Sequence, residues 1–152
     1  MNQEDFMKRA IELSKKAVKH GNEPFGAVLV KDNKIVFENE NQIKTKNDPT
    51  FHAETGLIRR FCEETGITNL KDYTLYTSCE PCFMCSGAMV WSKLGKMVYA
   101  ASNNDLEATM GKTGCNCSKM VFENSNYAPK VISGILKEKS IKVLEHYFGN
   151  KK

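Results

Sequence analysis

The chain reads as a single α/β domain over residues 1–152, with helices packed on a mixed sheet. Two observations predict this. Segments with helical apolar spacing alternate with short β-rich runs along the chain. A length of 152 residues suits one compact core, and no internal repeat or linker composition divides it.

The elements follow in order. Phe6, Ala10, Ile11, Ser14, Ala17 and Val18 recur at helical spacing, with Asn2 as N-cap and Gly21 as the stop. Phe25 to Val30 and Lys34 to Phe37 are β-rich runs joined by Lys31-Asp32-Asn33, which reads as a hairpin. Asp48-Pro49 offers an N-cap and a first-turn proline for a helix through His52, Leu57, Ile58 and Phe61 that closes at Gly66. Thr74 to Thr77 is a buried strand cut off by Pro81. A helix from about Cys82 to Ser92 follows, ending near Gly95, and Lys96 to Ala100 is the next strand. Ser102 to Ala128 is polar, with Gly111, Gly114 and several asparagines, and reads as a loop holding one helical turn. Val131 to Leu136 gives a last strand and Lys137 to Phe148 a last helix, with Ile141, Leu144 and Phe148 facing inward.

Composition removes several classes. An apolar fraction of 41% with 26% charged residues supports a core and argues against disorder. The net charge of +4 comes from lysines spread along the chain, which reads as a solvated basic surface and not as a nucleic-acid stripe. No apolar run approaches the roughly 20 residues that span a bilayer. Residues 1–21 carry Glu4, Asp5, Glu12 and five lysines or arginines, so a signal-peptide h-region is not expected and a cytoplasmic location is. Six cysteines in a reducing compartment point to thiolate chemistry or burial, not to a disulfide framework.

Two clusters carry chemistry. His52-Ala53-Glu54 opens one expected helix, and Pro81-Cys82-Phe83-Met84-Cys85 opens another directly after a strand. Residues i and i+3 share a helix face, so Cys82 and Cys85 can grip one ion from a single turn. The positive helix terminus favours both thiolates. With His52 they supply three ligands, the number that a catalytic zinc takes when it keeps a fourth position for water. Two thiolates cancel the ion's formal charge and weaken its pull on that water. A carboxylate base beside it, Glu54, then becomes necessary.

Each motif alone is weak. His-x-Glu arises by chance, and Cys-x-x-Cys is commonly a structural knuckle or a redox pair. Cys79, Cys82 and Cys85 match the opening of an iron–sulfur run, but Met89 stands where the next cysteine would fall. A closed four-ligand site would need Cys79, Cys62, Cys115 or Cys117. Cys79 is expected to end the strand and point elsewhere. Cys115 and Cys117, one residue apart, are a weak candidate for a second metal pair. The two clusters together favour one catalytic zinc per chain.

At these residues the chain resembles the cytidine and deoxycytidylate deaminase superfamily, over roughly residues 5 to 105. Pro24-Phe-Gly-Ala-Val28, Asn47-Asp-Pro-Thr50, Ser78 to Cys85 and Met89-Val-Trp91 are similar to its bacterial guanine deaminase branch. The resemblance implies a three-layer α/β/α fold with a mixed five-stranded sheet, and a homodimer. It implies hydrolytic deamination with release of ammonia, Glu54 moving protons between water, a ring nitrogen and the departing amine. It also implies that Asn41 hydrogen-bonds the substrate ring and that Phe25 and Trp91 wall the pocket. The family's guanine enzymes carry acidic residues after the Tyr-Ala-Ala strand. Here the segment reads Asp105-Leu-Glu107 onward, with no aspartate at the matching place.

The other motifs of the resemblance make a free base or nucleoside the expected substrate, a guanine-like purine first and a cytosine-type pyrimidine next. A tRNA adenosine is the alternative. Bacterial tRNA adenosine deaminases share the zinc motif, and Ser133-Gly-Ile-Leu136 resembles their ending, but they have a small aliphatic where Phe25 stands. Lys137, Lys139, Lys142, Lys151 and Lys152 are the best candidate for an RNA-binding stripe. A non-catalytic zinc module is the third reading, and Glu54 speaks against it.

Overall fold

The computed structural model describes residues 1–149. The lysines at 151 and 152 lie outside the described residues. Twelve elements follow one another among them: α1 (Gln3–Lys19), β1 (Gly26–Lys31), β2 (Lys34–Glu40), α2 (Ile43–Lys46), α3 (Ala53–Thr65), β3 (Thr74–Cys79), α4 (Phe83–Trp91), β4 (Lys96–Ala101), α5 (Asn103–Ala108), α6 (Cys117–Glu123), β5 (Lys130–Ile132) and α7 (Lys137–Phe148). The strands form one sheet in the order β2-β1-β3-β4-β5. β1 pairs antiparallel with β2 and β3, while β3–β4 and β4–β5 are parallel, so the sheet is mixed.

Alternation along the central strands builds two cores. Ala27 and Leu29 of β1, Leu75 of β3 and Met97 of β4 meet Leu57, Ile58 and Phe61 of α3 and Met89 of α4. The intervening residues Val28, Val30, Tyr76 and Val98 meet Phe6, Met7, Ala10 and Ile11 of α1, with Val143 of α7 packed alongside. Side chains on successive strand residues face opposite ways, so one sheet serves both helix layers. The three-layer α/β/α arrangement is present.

Local chemistry explains the element ends. Asn2 and Asp5 cap α1 reciprocally. Asp32 and Asn33, both at positive φ, turn the β1–β2 hairpin, and these residue types tolerate that conformation. At Gly26 a Cβ would lie 2.3 Å from the Ala10 carbonyl, so α1 crosses β1 at bare backbone.

Four expectations need correction. Asp48 does not cap a helix. Its carboxylate accepts from the Thr50 N–H (2.9 Å) and hydroxyl (2.6 Å), which makes a turn, and the helix starts later with His52 as its N-cap. The segment from Ser102 to Ala128 holds two short helices instead of one helical turn: α5, started by a Ser102–Asp105 capping box, and α6, whose Phe122 packs on the α3–α4 core. The last strand stops at Ile132, because Gly134 and Leu136 take left-handed backbone that a strand cannot hold. Cys115 and Cys117 are joined to each other as a disulfide, where all six cysteines were expected as thiols or metal ligands, while Cys62, Cys79, Cys82 and Cys85 are free.

Candidate metal and catalytic site

The site forms where α3 and α4 begin, beside the C-terminal end of β3. His52 is the N-cap of α3, and Cys82 is the N-cap of α4 with Cys85 one turn further on. Residues 52 and 82 both hold extended backbone, which turns their side chains toward each other ahead of the helices. His52 Nδ1 lies 3.5 Å from Cys82 Sγ and 3.6 Å from Cys85 Sγ. Tetrahedral zinc, with Zn–S near 2.3 Å and Zn–N near 2.05 Å, sets sulfur and nitrogen about 3.6 Å apart. The geometry and the nitrogen–sulfur donor set fit zinc. Among the described residues His52, Cys82 and Cys85 form the one group of this kind, all three ligand atoms lying within 4.8 Å of one another. Cys79 stays outside it, as expected, although it borders the adjoining cleft.

The two thiols are unlike. The hydrogen bond from the Cys85 thiol, with a further one from His52, pulls Cys82 down to about 4. The same bond and burial push Cys85 well above the usual thiol range. His52 is raised in turn, chiefly by its bond to Cys82. Cys82 is thus already ionised for a cation, and Cys85 yields its proton when the metal binds. Thr55, three residues after His52, donates its hydroxyl to Cys85 Sγ at 3.0 Å. That bond steadies the thiolate once formed.

Glu54 is buried on the first turn of α3. Burial, and then the Cys82 thiolate, push its carboxyl up to about 7. It borders a cleft of about 120 Å³ together with His52, Cys82, Asn41, Phe25 and Asn103. A groove of about 680 Å³ between α1 and α7 is larger, but it holds no metal-ligand group, and chemistry selects the smaller cleft. Asn41 is buried there, its Oδ1 accepting from the Ile43 N–H at 3.1 Å and its own N–H donating to the Phe25 carbonyl at 3.0 Å. Phe25 is backed by Phe148 at the end of α7, ring centroids 6.2 Å apart.

Trp91 is the exception. It ends α4 at 88% exposure and does not border the cleft, because its place on the helix turns it to the outer surface. Four contributors were not read from the sequence: Thr55, Glu80, Asn103 and Phe148. Thr55 and Glu80 had a local signal, Thr55 as a hydroxyl one turn from a ligand and Glu80 as a near neighbour of Cys82 within the Ser78–Cys85 stretch. The others reach the site through tertiary packing.

A sequence model of the family described as cytidine and deoxycytidylate deaminase zinc-binding region matches residues 1–101. The chain belongs to that family. The deaminase is 49% identical over 106 residues to a guanine deaminase of Bacillus subtilis, covering 69% of this chain and 68% of the relative. It is also 35% identical over 143 residues to a tRNA-specific adenosine deaminase of Bacillus subtilis, covering 94% of this chain and 86% of the relative. A solved structure from studies of A-to-I editing by deaminases at the wobble position of transfer RNA superposes with a TM-score of 0.79 at 31% identity, covering 91% of this chain and 98% of that one. The chain is a hydrolytic zinc enzyme of the deaminase superfamily, and the α/β fold expected from the sequence is the family's.

Proposed function

We propose that the enzyme removes the exocyclic amino group of a single nucleobase held in the cleft, with a free base or nucleoside of guanine-like type as substrate and a cytosine-type pyrimidine next. The observation that carries this is Glu54 bordering the same cleft as His52 and Cys82, with its carboxyl near neutrality. A bound zinc would be held by His52 Nδ1, Cys82 Sγ and Cys85 Sγ and would make water acidic enough to act as a nucleophile.

The remaining work falls to the chain. An acid that titrates near neutrality can take a proton from water, pass it to a ring nitrogen and protonate the departing amine. Asn41 is the amide that fixes the ring, and Phe25 is the apolar wall a flat base stacks on. A cleft of about 120 Å³ is sized for a single base and the atoms next to it.

A tRNA adenosine is a second reading, supported by coverage. The tRNA-specific relative aligns over 94% of the chain and the guanine deaminase over 69%, so the C-terminal third speaks for the former. In the first reading the enzyme works in the cytoplasm as a homodimer. Exposed Trp91 and Phe83 are the apolar side chains that such pairing would cover. Among the described residues no helix is long and apolar enough to cross a membrane.

Ammonia release from zinc-loaded protein decides between these readings. Guanine, cytosine, their nucleosides and a tRNA anticodon arm form the panel. Ammonia from a base or nucleoside supports the first reading, and ammonia from the anticodon arm alone supports the second. Zinc without any turnover rejects both.

A further inference from the structure

Asn103 opens α5 and borders the same cleft as Glu54 and Asn41. Its backbone is pinned from several sides. The Asn103 N–H donates to Glu80 Oε1 at 2.9 Å, while Glu80 Oε2 accepts from the Ser118 hydroxyl of α6. The Ser102–Asp105 capping box fixes the helix start. Gly114 lies so close that a Cβ there would sit 2.6 Å from the Asn103 carbonyl. The side chain is the contrast. The residue is only 6% exposed, yet its amide nitrogen has no hydrogen-bond partner, the one such buried side-chain nitrogen or oxygen among the described residues. A buried donor left unpaired costs about 1–3 kcal/mol. Such a group in a folded protein calls for an acceptor, and one that borders a cleft can take it from a bound molecule.

We propose that Asn103 reads the substrate, its amide donating to an acceptor atom of the molecule bound in the cleft. The acceptor is a ring nitrogen or carbonyl oxygen of the base, or a sugar hydroxyl. The inference rests on the deaminase reading above and adds the polarity of recognition. Asp105 is occupied by the capping box and by Lys137 at 3.7 Å, and neither it nor Glu107 borders the cleft. Glu23 and Glu80 do border the cleft, but the two Glu80 oxygens already accept from the Asn103 N–H and the Ser118 hydroxyl, so beside Glu80 the group on offer is the Asn103 amide, a donor that selects substrates presenting an acceptor.

Asn103→Asp tests this together with Asn103→Ala. The first keeps the shape but buries a carboxylate close to Glu80, and the second removes the amide without adding charge, so a melting temperature accompanies each assay. Zinc-loaded wild type, Asn103→Asp and Asn103→Ala are assayed for ammonia over guanine, cytosine, adenine, their nucleosides and a tRNA anticodon arm, with kcat and KM separated. Both variants should keep zinc and lose about tenfold or more in kcat/KM on the preferred substrate, chiefly through KM. Asn103→Asp should also reorder the panel toward substrates with a donor at that edge. A loss on both base and nucleoside places the acceptor on the base, and a loss on nucleosides alone places it on the sugar. Unchanged kcat/KM, or a loss spread evenly over all bases and seated in kcat, overturns the role of Asn103 while deamination stands. Absence of ammonia from wild type on every substrate overturns deamination itself, and the substrate-reading role with it.

Discussion

Glu54 shows how much a single side chain contributes through its surroundings. An exposed glutamate is fully ionised at neutral pH, but burial beside the Cys82 thiolate brings this one to about 7. Glu54→Gln removes the proton carrier proposed above and leaves His52, Cys82 and Cys85 in place. It should retain zinc and lose about 10²- to 10⁴-fold in turnover. Full activity in that variant, measured as ammonia release alongside metal content, would falsify the proton-shuttle role. Thr55 acts one step further out, since its hydroxyl holds the sulfur of Cys85. Thr55→Val keeps the shape without the donor and should weaken zinc affinity about 10- to 100-fold in a chelator competition. Equal affinity would reduce Thr55 to a packing residue.

At the scale of elements, long periodic segments were legible and short ones were not. α1, the β1–β2 hairpin, β3, β4 and α7 each carry enough apolar spacing or turn chemistry to announce themselves. α2, α5 and α6 have 4, 6 and 7 residues, too few for a helical period to stand out, and packing sustains them. Contacts between elements were equally hidden. Arg9 of α1 clasps Glu38 of β2 through two hydrogen bonds, Nε to Oε2 and Nη2 to Oε1. That bond holds the Glu38 carboxyl below its usual value. A carboxyl depressed in the folded state stabilises above its unfolded pKa, and the contribution fades as pH falls through the folded pKa. Glu38→Gln should therefore lower Tm at neutral pH, with the gap from wild type closing in acid. A gap that is constant across pH would show that the ion pair is not its source.

For the whole molecule, the metal links what the sheet holds apart. Its ligands come from the starts of α3 and α4, so binding ties those helices together over the end of β3. Cys82→Ala or Cys85→Ala should lose zinc and lower Tm together, because metal affinity is also folding energy. Retained zinc in either variant would remove that cysteine from the ligand set. The candidate zinc ligands could be read in the sequence because one His and two cysteines fall at helix starts with short spacings. Asn103 and Phe148 could not, since 23 and 123 residues separate them from Glu80 and Phe25 and only the fold joins them. Trp91 was read from a resemblance in one chain's sequence, and in the single chain it faces outward.

X-ray absorption at the zinc edge of the purified enzyme tests the open three-ligand centre most directly. The expected first shell is two sulfurs near 2.3 Å with two nitrogen or oxygen atoms near 2.0–2.1 Å, one from His52 and one from exchangeable solvent. A shell of three or four sulfurs, or a fourth ligand that solvent and substrate analogues cannot exchange, would contradict it.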